Sequence, residues 1–272
     1  MFTHVEIRRG DLRSPFPEDF ENRLTGRRVL RLWRRAKYIM ADLDGGETLV
    51  IHLGMSGRIT VYSGDGDGRG IGAFHFNVAG AEIGRGKHDH VVFDTDAPAR
   101  VVFTDHRRFG LMTIVETQSL ESHSLFKALG VEPLSRQFDG EYLKEALKTK
   151  KTPIKSALLD QRVIAGLGNI YACEALWRAR ISPKKQAGKL RTAQIALLAR
   201  AIKEVLREAV RAGGSSLQDH RQTNGELGYF QKSFAAYDRE DESCMRRGCR
   251  GRIKRITQAG RSTFYCAVCQ VA

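Results

Sequence analysis

Strand-like alternation of apolar and polar positions dominates the first 115 residues, and helical spacing dominates the rest of the chain. His4-Val5-Glu6-Ile7 alternates weakly, and Ser14-Pro15-Phe16-Pro17 breaks the run. A short helix fits Glu18 to Leu24. Val29 to Trp33, Tyr38 to Leu43 and Thr48 to Leu53 read as strands, the last two joined across Asp44-Gly45-Gly46. His90 to Asp94 and Arg100 to Thr104 pair across Thr95-Asp96-Ala97-Pro98. Together these predict a β-rich half built of two packed sheets. The Gly- and Asp-rich stretch from Tyr62 to Gly72 is predicted to be a mobile loop. Asp65 and Asp67 imitate the opening of a calcium loop, but the twelfth position from Asp65 is Phe76 where a glutamate is needed, which excludes calcium.

From Glu116 the pattern turns polar and strandless, which predicts a linker, and helices come after it. Ile154, Ala157 and Leu158 recur at helical spacing in a segment ending at Asp160, with Pro153 where a first turn tolerates it. Gly166-Leu167-Gly168-Asn169 stops that helix, its glycines permitting conformations that a side chain forbids, and a second apolar run spans Ile170 to Trp177. The result is helix, tight turns, helix. Thr192 is the expected cap of a further helix with Ile195, Leu198, Ile202, Val205 and Leu206 on one face, ended by Gly213-Gly214. Free N–H groups at Gly168 and Asn169, with Lys150, Lys151 and Lys155 nearby, suit a phosphate oxygen. On these residues alone an ordinary helical hairpin with a solvated lysine run is an equally good description. A dinucleotide fingerprint is excluded, because the third glycine is missing and a helix, not a strand, precedes.

Composition narrows the partners. The 272 residues are enough for two domains, and 42% hydrophobic content supports real cores. Forty-five basic against 31 acidic residues leave a net charge of +14, which favours a polyanion. No apolar run approaches membrane-spanning length and no signal-peptide pattern opens the chain, so a cytoplasmic protein without a membrane partner is expected. Four of the five cysteines form two pairs: four residues separate Cys244 from Cys249, two separate Cys266 from Cys269, and sixteen lie between the pairs. Two thiolate knuckles on a hairpin make a closed S₄ zinc site, structural rather than catalytic. Arg250, Arg252, Lys254, Arg255 and Arg261 make the intervening hairpin fit for a phosphate backbone. Cys173 lies apart in an apolar helical stretch and is read as packing.

The order of these parts, with Arg34-Arg35-Ala36-Lys37-Tyr38, His52-Leu53-Gly54-Met55-Ser56-Gly57, Lys87-His88-Asp89-His90, Asp105-His106-Arg107-Arg108-Phe109-Gly110, Gly166-Leu167-Gly168-Asn169-Ile170-Tyr171 and Arg261-Ser262-Thr263-Phe264-Tyr265-Cys266, closely resembles the formamidopyrimidine-DNA glycosylase family from about Val5 onward. The resemblance implies an α+β chain: a β-sandwich over 1–115, a linker over 116–135, a helix–two-turn–helix domain over 136–235 and a zinc finger over 236–272. It implies a monomeric, bacterial-type enzyme, cytoplasmic and nucleoid-associated, that flips an oxidised purine out of duplex DNA, cuts its glycosidic bond and then the strand. Lys37 matches the catalytic lysine near the lesion. Met55, Arg107 and Phe109 match the side chains that fill the hole left by the extruded base, although core packing is the simpler description of Met55 and Phe109. His88, Arg107, Lys150 and Asn169 match DNA contacts, with His52 in the motif beside Met55. Arg261 matches the hairpin arginine that grips the backbone and takes part in strand elimination, and Gln222 to Gln231 matches the loop that closes over the flipped base. His106, where the family often has proline, and the long first knuckle depart from the pattern.

One departure is larger. The family opens with a Pro-Glu-Leu-Pro-Glu run whose proline amine attacks the sugar C1′ and whose glutamate handles the ring proton. This chain opens Met1-Phe2-Thr3-His4, and Val5 to Arg13 resembles the strand after the family's first helix. The expectation is a chain lacking that helix and nucleophile, with the Met1 amine or Lys37 a poor replacement and Glu6 no substitute for the acid. A lesion or abasic-site binder without turnover is the corresponding alternative. An endonuclease VIII-like preference for oxidised pyrimidines fits Met55, Arg107 and Phe109 less well, and a zinc-dependent hydrolase fits least.

Overall fold

The computed structural model describes residues 1–63, 85–97, 99–215 and 229–271. The expected mobile loop beyond Ser63, the rejected calcium positions and residues 222–228 of the expected closing loop lie outside them. The chain divides into two compact units, one formed by Met1–Lys127 and the other by Ala128–Gly214 with Tyr229–Ala272.

In the first unit, β1 (Phe2–Ile7), α1 (Phe20–Leu24), β2 (Val29–Arg35), β3 (Tyr38–Leu43), β4 (Glu47–His52), β5 (Arg58–Ser63), β6 (Asp89–Thr95), β7 (Ala99–Thr104) and β8 (Leu111–Glu116) succeed one another in order. They form two antiparallel sheets, β1-β6-β7-β5 and β2-β3-β4-β8. Alternate residues of the two sheets share one core: Ala41, Leu43, Leu49, Ile51, Met112 and Ile114 from one, Val5, Val91, Phe93 and Phe103 from the other. That is the period-two signature of a sandwich. The outer face of the second sheet is buried too, at Met40, Val50 and Val115. Phe126, from the segment after β8, meets Tyr38 edge-on at 5.2 Å. This double burial is why β8 reads as a continuous apolar run rather than an alternating one, and its sequence pattern did not announce it.

The second unit holds α2 (Gly140–Leu147), α3 (Ile154–Leu159), α4 (Asn169–Arg178), α5 (Thr192–Arg211), β9 (Ile253–Gln258) and β10 (Arg261–Cys266). Asp139 caps α2 by accepting from the Tyr142 N–H at 2.8 Å. Leu143, Ile154, Leu158, Leu167, Leu176, Leu198, Ile202 and Val205 pack in one core around α5. Two expectations are corrected. Thr192 is the first helical residue of α5 rather than its cap, a position held by Arg191. Of the two turn glycines only Gly166 takes a positive φ, 79°. Gly168 is extended at φ −105°, and a Cβ there would meet nothing nearer than Tyr171 at 4.0 Å. β9 and β10 are joined by Ala259 and Gly260, both at positive φ, as a two-residue primed turn requires.

Candidate DNA-binding site and metal centre

Lys37 lies in the two-residue turn between β2 and β3, beside Ala36 at φ 51°. The register carries Tyr38 across to His52 and His52 across to Leu111, so the turn, His52 and the Phe109–Gly110 loop occupy one end of the sheet. The His52 Nδ1 accepts from the Gly54 N–H at 2.9 Å, which leaves the proton of the neutral ring on Nε2. Burial, then the Lys37 and Arg13 charges, hold this imidazole below its ordinary pKa.

Met55 and Phe109 are 68% and 44% exposed, which overturns the core-packing description of both. Their loops are locked together by backbone. Gly54, at φ 66°, approaches so closely that a Cβ would lie 2.5 Å from the Phe109 carbonyl carbon. Buried Asp105 completes the lock, accepting from the Ser56 hydroxyl at 2.5 Å and the Gly110 N–H at 2.8 Å. Its own carbonyl meets the His90 Nε2 at 2.8 Å, and its N–H donates to the His88 carbonyl at 3.0 Å. The Arg107 guanidinium lies 4.6 Å over the Phe109 ring. One end of the first unit therefore gathers Lys37, His52, Met55, His88, Arg107 and Phe109. The Met1 ammonium is elsewhere: it pairs with Asp96 at 2.6 Å, at the Thr95 end of β6, about 20 Å of strand from the Asp89 end where His88 lies.

In the second unit, Gly168 leaves the start of α4 without a side-chain cap, so the first-turn amides have no carbonyl partner within the helix. The Asn169 Nδ2 donates to the Ser262 carbonyl at 3.0 Å, which ties the turn to the strand beginning at exposed Arg261. Lys155 does not join the phosphate-facing charge expected of it. It is fully buried, its Nζ donates to the same carbonyl at 3.3 Å, and burial depresses its pKa. Lys150 keeps partial exposure and pairs with Asp160 at 3.2 Å. Buried Glu174 accepts from the N–H groups of Ala235, Ala236 and Tyr237 at 3.0, 2.9 and 2.8 Å, fixing α4 to the chain that leads to the metal knuckles. Asp105 and Ser56 stood in quoted motifs, but 49 positions of separation hid their pairing. Nothing in the sequence marked Glu174.

The Sγ atoms of Cys244, Cys249, Cys266 and Cys269 lie within 4.8 Å of one another, with Cys244 to Cys269 at 3.8 Å and Cys249 to Cys266 at 3.7 Å. A tetrahedron with metal–sulfur bonds of about 2.3 Å has edges of about 3.8 Å, so the donor set fits zinc. Four thiolates held this close repel one another, so the set needs a cation between them. Cys173 lies outside this set, buried, its thiol pushed up to about 11 by burial, as packing requires.

Comparison with known proteins agrees with this geometry. Residues 1–112 match the formamidopyrimidine-DNA glycosylase N-terminal domain, 129–221 the formamidopyrimidine-DNA glycosylase H2TH domain, and 241–271 the zinc finger found in FPG and IleRS. The chain is 55% identical over 270 residues to the formamidopyrimidine-DNA glycosylase of Ruegeria pomeroyi, covering 99% of this chain and 92% of that protein. It is 54% identical over 266 residues to that of Dinoroseobacter shibae, covering 98% and 91%. Among solved structures, the complex between Lactococcus lactis Fpg and an abasic site containing DNA superposes with a TM-score of 0.85 at 30% identity, over 100% of this chain and 92% of that one. MutM in complex with carbocyclic 8-oxo-G containing DNA gives 0.84 at 30%, with the same coverage. A sandwich with an exposed Met–Phe tip, a helix–turns–helix tied to a basic hairpin, and a four-thiolate knuckle pair are thus the parts of one known architecture, and the chain belongs to the formamidopyrimidine-DNA glycosylase family.

Proposed function

We propose that this chain is a base-excision DNA glycosylase that removes oxidised purines, such as 8-oxoguanine and formamidopyrimidines, from duplex DNA and then cuts the abasic strand as a lyase, acting as a monomer in the cytoplasm at the nucleoid. The observation that carries the reading is the pair Met55 and Phe109: large apolar side chains held out in solvent by a backbone lock at Gly54. Exposed apolar tips on rigid loops are suited to entering a base stack and holding the gap left by an extruded nucleotide. Arg107, stacked on Phe109, supplies donors for the orphaned partner base.

The other residues take roles that their surroundings support. Lys37 brings a positive charge to the end where the extruded nucleotide would lie. His52 stays neutral and presents Nε2–H. His88, Lys150, the first-turn amides of α4 at Asn169 and Arg261 hold phosphates, the last positioned by the Asn169–Ser262 contact. After base loss an amine condenses with the ring-opened C1′ aldehyde and water leaves; the resulting iminium acidifies the C2′ proton, and its removal expels the 3′ phosphate from C3′ and so breaks the strand. The zinc ion supplies no reaction step, since four thiolates close its coordination sphere, and it acts by tying the Cys244–Cys249 knuckle to the end of β10 at Cys266.

Base release from duplexes carrying 8-oxoguanine or thymine glycol tests the substrate class. Faster release of 8-oxoguanine is expected, and preference for thymine glycol would overturn the purine assignment. Arg261→Ala should lower the slope of log affinity against log salt by about one, and an unchanged slope would remove Arg261 from the phosphate contacts.

A further inference from the structure

We propose that Trp177 and Arg246 form a clasp that couples the zinc site to α4 and so, on the zinc assignment above, makes the positions of Asn169 and Arg261 depend on metal load. Trp177 is in the last turn of α4, and its Nε1 donates to the Sγ of Cys244 at 3.4 Å. The Arg246 guanidinium lies 4.5 Å over the same indole, and its Nη2 donates to the Trp177 carbonyl at 2.5 Å. That carbonyl, in the last turn of α4, also accepts from the Arg180 N–H at 3.2 Å, and a helix C-terminus favours the positive charge that Arg246 brings. Arg246 stands in the long first knuckle, among the residues between Cys244 and Cys249 that depart from the commoner spacing. The knuckle itself therefore supplies the cation that closes the clasp.

The contacts form a closed circuit. The metal's Cys244 holds Trp177, and α4 runs about 12 Å from there back to Asn169. Asn169 holds the Ser262 carbonyl, and β10 leads from Arg261 to Cys266, which returns to the metal. Strain or loss at the metal reaches the phosphate-binding end through both arms. In the other direction, an indole N–H on a thiolate stabilises the charged ligand, and partners of that kind typically change metal affinity by 10–100-fold.

The test uses the full chain, with Trp177→Phe keeping the aromatic packing while removing the donor, and Arg246→Gln removing the charge. Zinc content, its rate of transfer to a chromogenic chelator, and affinity for a duplex containing an abasic-site analogue are measured for each. Transfer at least about 10-fold faster from both variants is expected. Duplex affinity should fall in low zinc and recover on added zinc, a rescue that a mere packing defect would not show. Transfer rates within twofold of the parent protein, or lost affinity that zinc does not restore, would overturn the clasp. A parent protein that holds no zinc would instead overturn the metal assignment itself.

Discussion

Gly54 shows how much of the site rests on single atoms. With φ at 66° and the Phe109 carbonyl carbon 2.5 Å from any Cβ, Gly54→Ala combines a disfavoured backbone conformation with a clash against main chain that has no rotamer to escape into. Chemical denaturation should register a loss of about 2–4 kcal/mol, and separation of the Met55 and Phe109 loops should weaken binding to lesion-containing duplex more than to undamaged duplex. Equal weakening on both would mean that the two tips do not act at the lesion. Asp160 sets a different constraint. The Arg162 guanidinium, with backbone N–H and Lys150 contributions, lowers its carboxyl from 3.8 to about 2. A folded-state pKa below the unfolded one gives stability that is present above about pH 4 and lost as pH falls toward 2. The Asp160→Asn variant should therefore be about 0.5–1 kcal/mol less stable near pH 6, once the exposure of Arg162 is allowed for, with the difference closing as pH falls from 4 toward 2. A difference that stays constant with pH would assign the effect to something other than the carboxylate charge.

At the scale of elements, α4 is the part on which most of the second unit's arrangement depends. Its first turn ties to β10 through Asn169 and Ser262, Glu174 in its middle takes three consecutive backbone N–H groups, and its last turn reaches the Cys244 knuckle. Glu174→Gln replaces an acceptor oxygen by an NH₂ that confronts N–H donors in a buried site, and about 2–4 kcal/mol of destabilisation is expected in urea unfolding. A cost under 0.5 kcal/mol, roughly a surface substitution, would show that the carboxylate does not hold the 235–237 segment. Sequence patterning gave α3, α4, α5 and most of the strands, because each shows one apolar face at the right period. It missed β5, β8, whose two faces are both covered, and α2, which is short and needs Asp139 as its cap. The same division applies to the site. The four cysteines were legible from their spacing alone, and Arg261, Met55 and Phe109 stand in motifs that suggested the roles proposed for them. Lys155, Asp105 and Glu174 act through partners distant in sequence, and burial decides what they do.

For the molecule as a whole, each unit carries its own candidate DNA-contacting groups: an exposed apolar tip with arginine, histidine and lysine on the sandwich, and an uncapped helix start beside a basic hairpin on the zinc-bearing unit. Net charge of +14 brings any polyanion to such a surface, so affinity alone says little about function. Chemistry on a damaged nucleotide is the more demanding claim. Borohydride trapping of the chain on a duplex containing 8-oxoguanine tests it most directly, since reduction captures the Schiff base that glycosylase-lyase action must pass through. A covalent protein–DNA adduct is expected on that duplex and on one with a preformed abasic site, with none on undamaged DNA; intact duplex binding without an adduct on either damaged substrate would contradict the assignment.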